Sequence, residues 1–471
     1  MKTTNEYRVE HDLLGKRELP VDALYGIQTL RGVENFSISR FRLDQYPLFI
    51  NGLAYTKWAA AEANHQLGLL TDEQFNAIKA ACEDILAGKY HDQFLVDMIQ
   101  GGAGTSTNMN ANEVIANIAL MHMGHQPGEY EYCSPHDQVN RSHAYPTAIH
   151  IGLYASHLKM LPHLKELIAS LKKKGDEFAH IIKMGRTQLE DAVPMTLGQT
   201  FHGFASILEN ELLHLEEAAT DFLTVNLGAT AIGTGICSEP GYAEKAVEAL
   251  ARITGWKVVL SEDWVGATSD TSCMVGYMSA LKRVAVKLSK ISNDLRLLSS
   301  GPRCGLGEIN LPARQPGSSI MPGKVNPVIP EVVSQVAFKV MGNELCTTMA
   351  GEAAQMELNA MEPVMAQCCF ESIDLLIHAY DTLRTLCIDG ITANEAKCVE
   401  EVHNSIGVVT ALNPYIGYDH ATAIAKKALE TGQSVYKLVL EEGILTKEDL
   451  DTILNPKNMV RPVKLDIHAK G

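Results

Sequence analysis

Nowhere does this sequence carry a run of eighteen apolar residues, and its first residues, MKTTNEYR, lack an apolar stretch behind a basic start. A membrane span and a secretory leader are therefore not expected, and a soluble cytoplasmic protein is. Its 10 Cys include no C-x-x-C pair, and Cys368–Cys369 fall inside a helical pattern, so reduced thiols are expected rather than disulfides. Positive charge is in short supply. With 40 Lys+Arg against 56 Asp+Glu, the formal charge is −16, a field that repels nucleic acid and anionic lipid. Any small anion must be caught by local groups. The 17 His show no metal-ligand spacing: His122 and His125 are three apart, on an expected helix without further ligands nearby. No G-x-S-x-G elbow is present, and the G-x-G within Asn226–Gly235 follows no strand, so it is not a dinucleotide fingerprint.

What is there is ordinary globular composition, 46% hydrophobic and 20% charged with only 18 Pro, which rules out disordered and collagen-like classes. A length of 471 residues fits about three domains, or one large elongated unit with appendages. Apolar residues recur at steps of three and four through Met274, Tyr277, Met278, Leu281, Val284, Ala285, Leu288, Ile291, Leu295 and Leu298. A second series runs Phe201, Phe204, Ala205, Leu208, Leu212, Leu215, Ala219, Phe222, and a third Leu161, Leu164, Leu167, Ile168, Leu171. Less regular patterns occupy 331–350 and 362–388. Five long helices in one stretch predict an all-α bundle, with domain boundaries near 136 and 392, giving divisions 1–136, 137–392 and 393–471. Stripes of this length bury themselves against several neighbours, so self-association through the bundle is expected. Thr71 with Gln74 and Thr446 with Asp449 mark helix starts, Gly432 and Gly443 mark helix ends, and Asn413-Pro414 marks a turn.

Three polar segments interrupt this pattern. The densest is Gly301–Asn326, GPRCGLGEINLPARQPGSSIMPGKVN, a long Gly/Pro-punctuated loop of the kind that tends to bind or cover ligands. From Ser318 to Asn326 it places two hydroxyls, one ammonium and one amide within nine residues, beside glycines that let backbone N–H groups approach an anion. It is not a phosphate loop, because five residues separate Gly317 from Gly323 and Val325 follows Lys324 where a hydroxyl is required. The second segment, Gly101–Asn112, holds Thr105 and Ser106 ahead of a helical pattern from Glu113; it reads as a cap and turn, or as donors for a carboxylate near a helix N-terminus. The third, Met184–Pro194, reads alone as an inter-helix connection whose Arg186, Glu190 and Asp191 make ordinary ion pairs.

Taken together, these segments resemble the aspartase/fumarase superfamily, whose signature loop GSSxMPxKxN stands complete in Ser318, Ser319, Met321, Pro322, Lys324 and Asn326. GRTQLEDAVPMTLGQ at 185–199, VNLGATAIGTG at 225–235, VNPVIPEVV after the loop lysine and NSIGVVTALNPYIG at 404–417 are similar to the aspartase forms rather than the fumarase forms. The resemblance spans nearly the whole chain. It implies a three-domain all-α fold with a central five-helix bundle, and a homotetramer whose composite active sites each draw on three subunits. It further implies reversible deamination of L-aspartate to fumarate and ammonia, with no cofactor and no metal. By similarity Ser318 is the base; Lys324 and Asn326 hold one carboxylate; Thr105, Ser106, Thr187 and Ser319 serve the other carboxylate or the amino group. Gln188 stands where many relatives have His, which pairs with the acid corresponding to Glu331; an amide orients and hydrogen-bonds but does not titrate.

One stretch departs from the family. Where the family reads VNxSQS(T/S)NDxxPT, this chain reads Val139-Asn-Arg-Ser-His-Ala-Tyr-Pro-Thr147, four residues shorter and without the S-T-N-D core. Asn140, Ser142 and His143 stand nearby as substitutes. A single oxyanion donor is worth on the order of 10²–10³ in turnover, so a catalytically silent homologue enters as an alternative, beside a class II fumarase-type hydratase.

Overall fold

A computed structural model describes residues 6–140 and 145–467. A hairpin (β1 Tyr7–Asp12, β2 Gly15–Pro20) precedes α1 (Ile27–Asn35), α2 (Pro47–Gln66), α3 (Asp72–Leu86) and α4 (Thr105–His122). The long α5 (Tyr145–Glu177) leads into a second hairpin, β3 (Ile182–Thr187) and β4 (Glu190–Thr196), and then α6 (Leu197–Thr220). Next come β5 (Thr224–Val225), α7 (Tyr242–Thr254), β6 (Val259–Leu260), α8 (Trp264–Ser269) and α9 (Ser272–Leu298). The two-residue β7 (Ile309–Asn310) is the sole strand on the way to α10 (Val328–Glu352); α11 (Glu362–Leu386), β8 (Thr392–Ala393) and α12 (Glu395–Asn404) follow. Five short helices close the chain: α13 (Asn413–Ile416), α14 (Tyr418–Thr431), α15 (Val435–Glu442), α16 (Lys447–Ile453) and α17 (Pro456–Met459).

The fold is all-α, and the five expected long helices are α5, α6, α9, α10 and α11, with 33, 24, 27, 25 and 25 residues. Every residue of the stripe from Met274 to Leu298 is buried, as is the stripe from Leu161 to Leu171; in the Phe201–Phe222 series only Leu212 is half-buried. Burial of whole stripes explains why these helices form: each large apolar side chain removed from water contributes about 1.5–3 kcal/mol, and each alanine less.

The chain divides into two compact units, one of residues 1–162, 211–286 and 336–378, the other of 163–210, 287–335 and 379–471. In the first, α2 lies so close to α5 that a Cβ on Gly52 would sit 2.3 Å from the Ala148 carbonyl oxygen. Phe49 stacks on Phe370 at 4.9 Å, the Tyr277 hydroxyl lies 3.0 Å from His157 Nδ1, and the Asn343 amide donates to Glu371 and Ser372, which joins α10 to α11. In the second, Ile182 and Met184 of β3 join Leu412, Leu438 and Leu450 in one core. The Thr71–Gln74 capping box is present, Thr446 accepts from the Asp449 N–H, and Gly432 and Gly443 end their helices in the left-handed conformation.

Three local expectations need correction. Helix α4 starts at Thr105, well before Glu113. Gly104, at φ +83, supplies the turn into it, and a Cβ there would lie 2.1 Å from the Tyr145 ring. The Asn residues that made this stretch look like a loop tie neighbouring segments instead: Asn110 accepts from the Leu95 N–H and donates to the Gln93 carbonyl. The connection 182–196 is a β-hairpin, because β3 is buried on both faces over most of its length and needs a partner strand for its backbone polar groups. Asn413-Pro414 opens the short helix α13 instead of a turn, with Pro in the first turn where its missing N–H costs nothing.

Candidate active site

The passage from Gly301 to Asn326 runs between α9 and α10 with only β7 as regular structure. Its tip closes on itself: the Gly317 N–H donates to the Lys324 carbonyl and the Asn326 side-chain amide donates to the Gly317 carbonyl, both at 2.7 Å. A Cβ at Gly317 would lie 2.7 Å from the Lys324 carbonyl oxygen and 2.9 Å from the Asn326 side chain, so the closure needs glycine. Inside this ring the Ser318 Oγ accepts from the N–H groups of Ile320 and Met321, each at 3.2 Å. Two donors aimed at one hydroxyl oxygen favour negative charge on it. Ser319, Lys324 and the apolar Ile320, Met321 and Val325 are exposed.

Thr187 ends β3, and the two residues joining it to β4, Gln188 and Leu189, have φ of +57 and +68. Side chains at both positions of such a turn pay a left-handed backbone cost that glycine or asparagine would avoid. All three residues are exposed.

Beneath the hairpin lies the feature that the sequence did not reveal. Glu308, fully buried, pairs with Arg186 Nη1 through Oε1 and lies 3.0 Å from Lys183 Nζ through Oε2. Arg186 Nη2 also donates to Glu401 at 2.9 Å. Burial works against the Arg186 charge, but Glu308 and Glu401 outweigh it and hold the guanidinium above its ordinary range. The Glu308 backbone donates to the Leu298 carbonyl at 2.9 Å and accepts from the Asn394 N–H at 2.8 Å. Thus one carboxylate ties the hairpin carrying Thr187 and Gln188 to the foot of the loop carrying Ser318. The sequence signal was slight: one acid between Leu306 and Ile309 in a Gly/Pro-rich passage. The Asp191 carboxylate accepts from the Ser405 hydroxyl instead of pairing with Arg186.

The remaining candidates lie in the first unit. Thr105 is exposed in the first turn of α4, its hydroxyl donating to the Gly102 carbonyl at 2.7 Å; Ser106 is half-buried beside it. Asn140 accepts from the Asn108 amide at 2.9 Å. Ser142 and His143 lie outside the described residues. Ser318, Ser319, Lys324 and Asn326 therefore share one loop, Thr187 and Gln188 one turn, and Thr105, Ser106 and Asn140 the other unit.

His122 pairs with Asp84 at 2.9 Å and His125 stacks on Tyr132, and among the described residues no group of three His, Cys, Asp or Glu is arranged to hold a metal ion. All ten cysteines are unpaired. A cavity of about 440 Å³ opens beside the hairpin, but its wall is mostly apolar, with Leu189, Phe204 and Leu297, and includes none of the loop hydroxyls. At Ser318, two backbone N–H donors meet on one hydroxyl oxygen.

Residues 15–342 match a family model described as lyase, and residues 408–461 one described as fumarase C C-terminus. An aspartate ammonia-lyase of Pseudomonas fluorescens is 58% identical over 474 residues, covering 100% of this chain and 99% of that protein. Among solved structures, a fumarate lyase:delta crystallin from Brucella melitensis bound to cobalt superposes with a TM-score of 0.94 at 50% identity, covering 97% of this chain and 100% of that one. A class II fumarase from Schistosoma mansoni gives 0.91 at 32% identity, with 98% and 100% coverage.

Proposed function

The chain belongs to the aspartase/fumarase lyase family, and from that membership we propose that it is an aspartate ammonia-lyase, a carbon–nitrogen lyase that interconverts L-aspartate with fumarate and ammonia. The reaction must remove a proton from the carbon beside a carboxylate that is already negative. That puts a second negative charge on the carboxylate, so the site needs a base and donors aimed at the developing enediolate oxygens. The electron pair left on carbon then forms the double bond as the ammonium group departs as neutral ammonia, and no cofactor is consumed.

The observation that carries this reading is the Ser318 ring: an oxygen with two backbone N–H groups pointed at it, in an exposed loop that also carries Lys324. In the proposed roles Ser318 takes the proton as an alkoxide, a form that the two N–H donors favour. Lys324 neutralises one carboxylate together with Asn326, whose amide also closes the ring. Thr187, Gln188, Ser319, Thr105 and Ser106 bind the second carboxylate and the amino group, and Asn140, Ser142 and His143 take the place of the missing S-T-N-D donors. Closure of the strip would exclude water and strengthen each of these contacts.

The greater identity to the aspartate ammonia-lyase than to the fumarase favours aspartate over malate as substrate, and a relative matched end to end favours a working lyase over a silent scaffold. We further propose the three-domain division near 136 and 392, a homotetramer with composite sites, and a cytoplasmic location. No helix of the described residues is long and apolar enough to cross a membrane. The test is fumarate formation from L-aspartate, followed by its ultraviolet absorbance, with malate as control. Steady fumarate from aspartate supports the proposal; turnover of malate but not of aspartate overturns it.

A further inference from the structure

A cavity of about 410 Å³ lies wholly in the first unit, at the starts of α5, α9 and α11. Four carboxylates line it, Asp221, Asp263, Asp270 and Glu362, along with His150 and Cys273, and no Lys or Arg is among its lining residues. The three aspartates are exposed. Asp263 accepts from the Gly266 N–H at 2.9 Å and Asp270 from the Ser272 N–H at 2.9 Å, contacts that fix their orientation.

Glu362 differs from them. It is only 3% exposed, and its Oε2 is buried without a hydrogen-bond partner. Burial pushes its carboxyl up to about 8. A carboxylate so placed must either take a proton or receive a positive partner from outside, because an unpaired buried charge costs several kcal/mol. The His–Cys pair supplies no such partner. His150 Nδ1 lies 3.1 Å from the Thr224 carbonyl oxygen, which can only accept, so Nδ1 carries the ring proton; Nε2 then accepts from the Cys273 thiol at 3.2 Å. Burial lowers the His150 ring to about 4 and raises the Cys273 thiol to about 12. Both groups are neutral, and the only full charges on this wall are negative.

We propose that this cavity binds an ammonium-type cation, either the free ion or the amino group of a small amine, with Glu362 as its buried acceptor and the aspartates as its mouth. A bare metal ion fits less well. The described residues hold no ready three-ligand group, and metal–oxygen bonds of about 2.0–2.6 Å demand closer convergence than N–H donors, which reach acceptors at about 2.7–3.2 Å. The inference does not depend on the reaction assigned to the Ser318 loop.

The test is thermal melting of the full-length protein at constant ionic strength, with ammonium, methylammonium, magnesium, sodium or tetramethylammonium as chloride salts. Ammonium or methylammonium should raise the midpoint by about 1–2 °C in a saturable way, and Glu362→Gln should abolish that rise. A rise with ammonium alone identifies the free ion; a rise with methylammonium as well, an amine. Should Glu362→Gln not fold, Asp221→Asn is expected to weaken the saturable rise at least threefold. Equal rises with sodium, a response to magnesium only, or an ammonium rise that survives Glu362→Gln (Asp221→Asn where that variant replaces it) would overturn the proposal.

Discussion

Glu308 at the foot of the 301–326 passage and Ser318 near its tip sit in opposite surroundings. Glu308 is fully buried and meets two cations and two backbone partners; the Ser318 ring is held by a few hydrogen bonds and faces solvent. The difference separates two tasks. Positioning is done by the buried ionic knot, where low dielectric makes each contact strong and its loss costly. In the proposed reading, chemistry falls to the exposed strip, which would fold over a ligand and complete its donor set.

If the two tasks are separate, substitutions at the two ends should have opposite signatures, and the largest effect is expected at the tip. Ser318→Ala should lower fumarate formation by about three orders of magnitude or more, while the melting midpoint moves by no more than the equivalent of about 0.5 kcal/mol. A large fall in stability would show that the tip, too, is structural. Glu308→Ala should instead cost about 3–5 kcal/mol in denaturant unfolding, because it strands the buried Lys183 without a counter-charge and leaves Arg186 with Glu401 alone. Melting like the unaltered protein would show that the knot holds nothing. Lys324→Met, which keeps the stem and removes the charge, should cost on the order of 10² in kcat/KM with the midpoint unchanged. Smallest of all, Leu189→Gly should raise stability by about 0.5–1 kcal/mol, since glycine accepts the left-handed backbone and the exposed leucine loses little burial.

Legibility in the sequence followed the range of the interactions. The long helices could be read because their signal is local: steps of three and four from Met274 to Leu298 put one face inside, and that face is buried. The Ser318 loop could be read because its residues are consecutive. The β3–β4 hairpin could not, since β3 is buried on both faces and shows no alternation, while its Gln188-Leu189 turn lacks the glycine or asparagine that usually announces one. Helix α4 hid its start behind asparagines engaged in tertiary hydrogen bonds. Glu308 was invisible for the plainest reason: its Arg186 partner lies 122 positions away along the chain. Glu362 was equally hidden, because the absence of a partner cannot be seen before the fold is known.

The most direct test of the central claim is a crystal structure of the protein soaked with a non-reactive four-carbon diacid such as succinate. Our account predicts one carboxylate against Lys324, the backbone of the Ser318 ring folded over the ligand, and the Ser318 oxygen beside its methylene carbon. A diacid bound away from that ring, with the strip left open and Ser318 touching nothing, would contradict it.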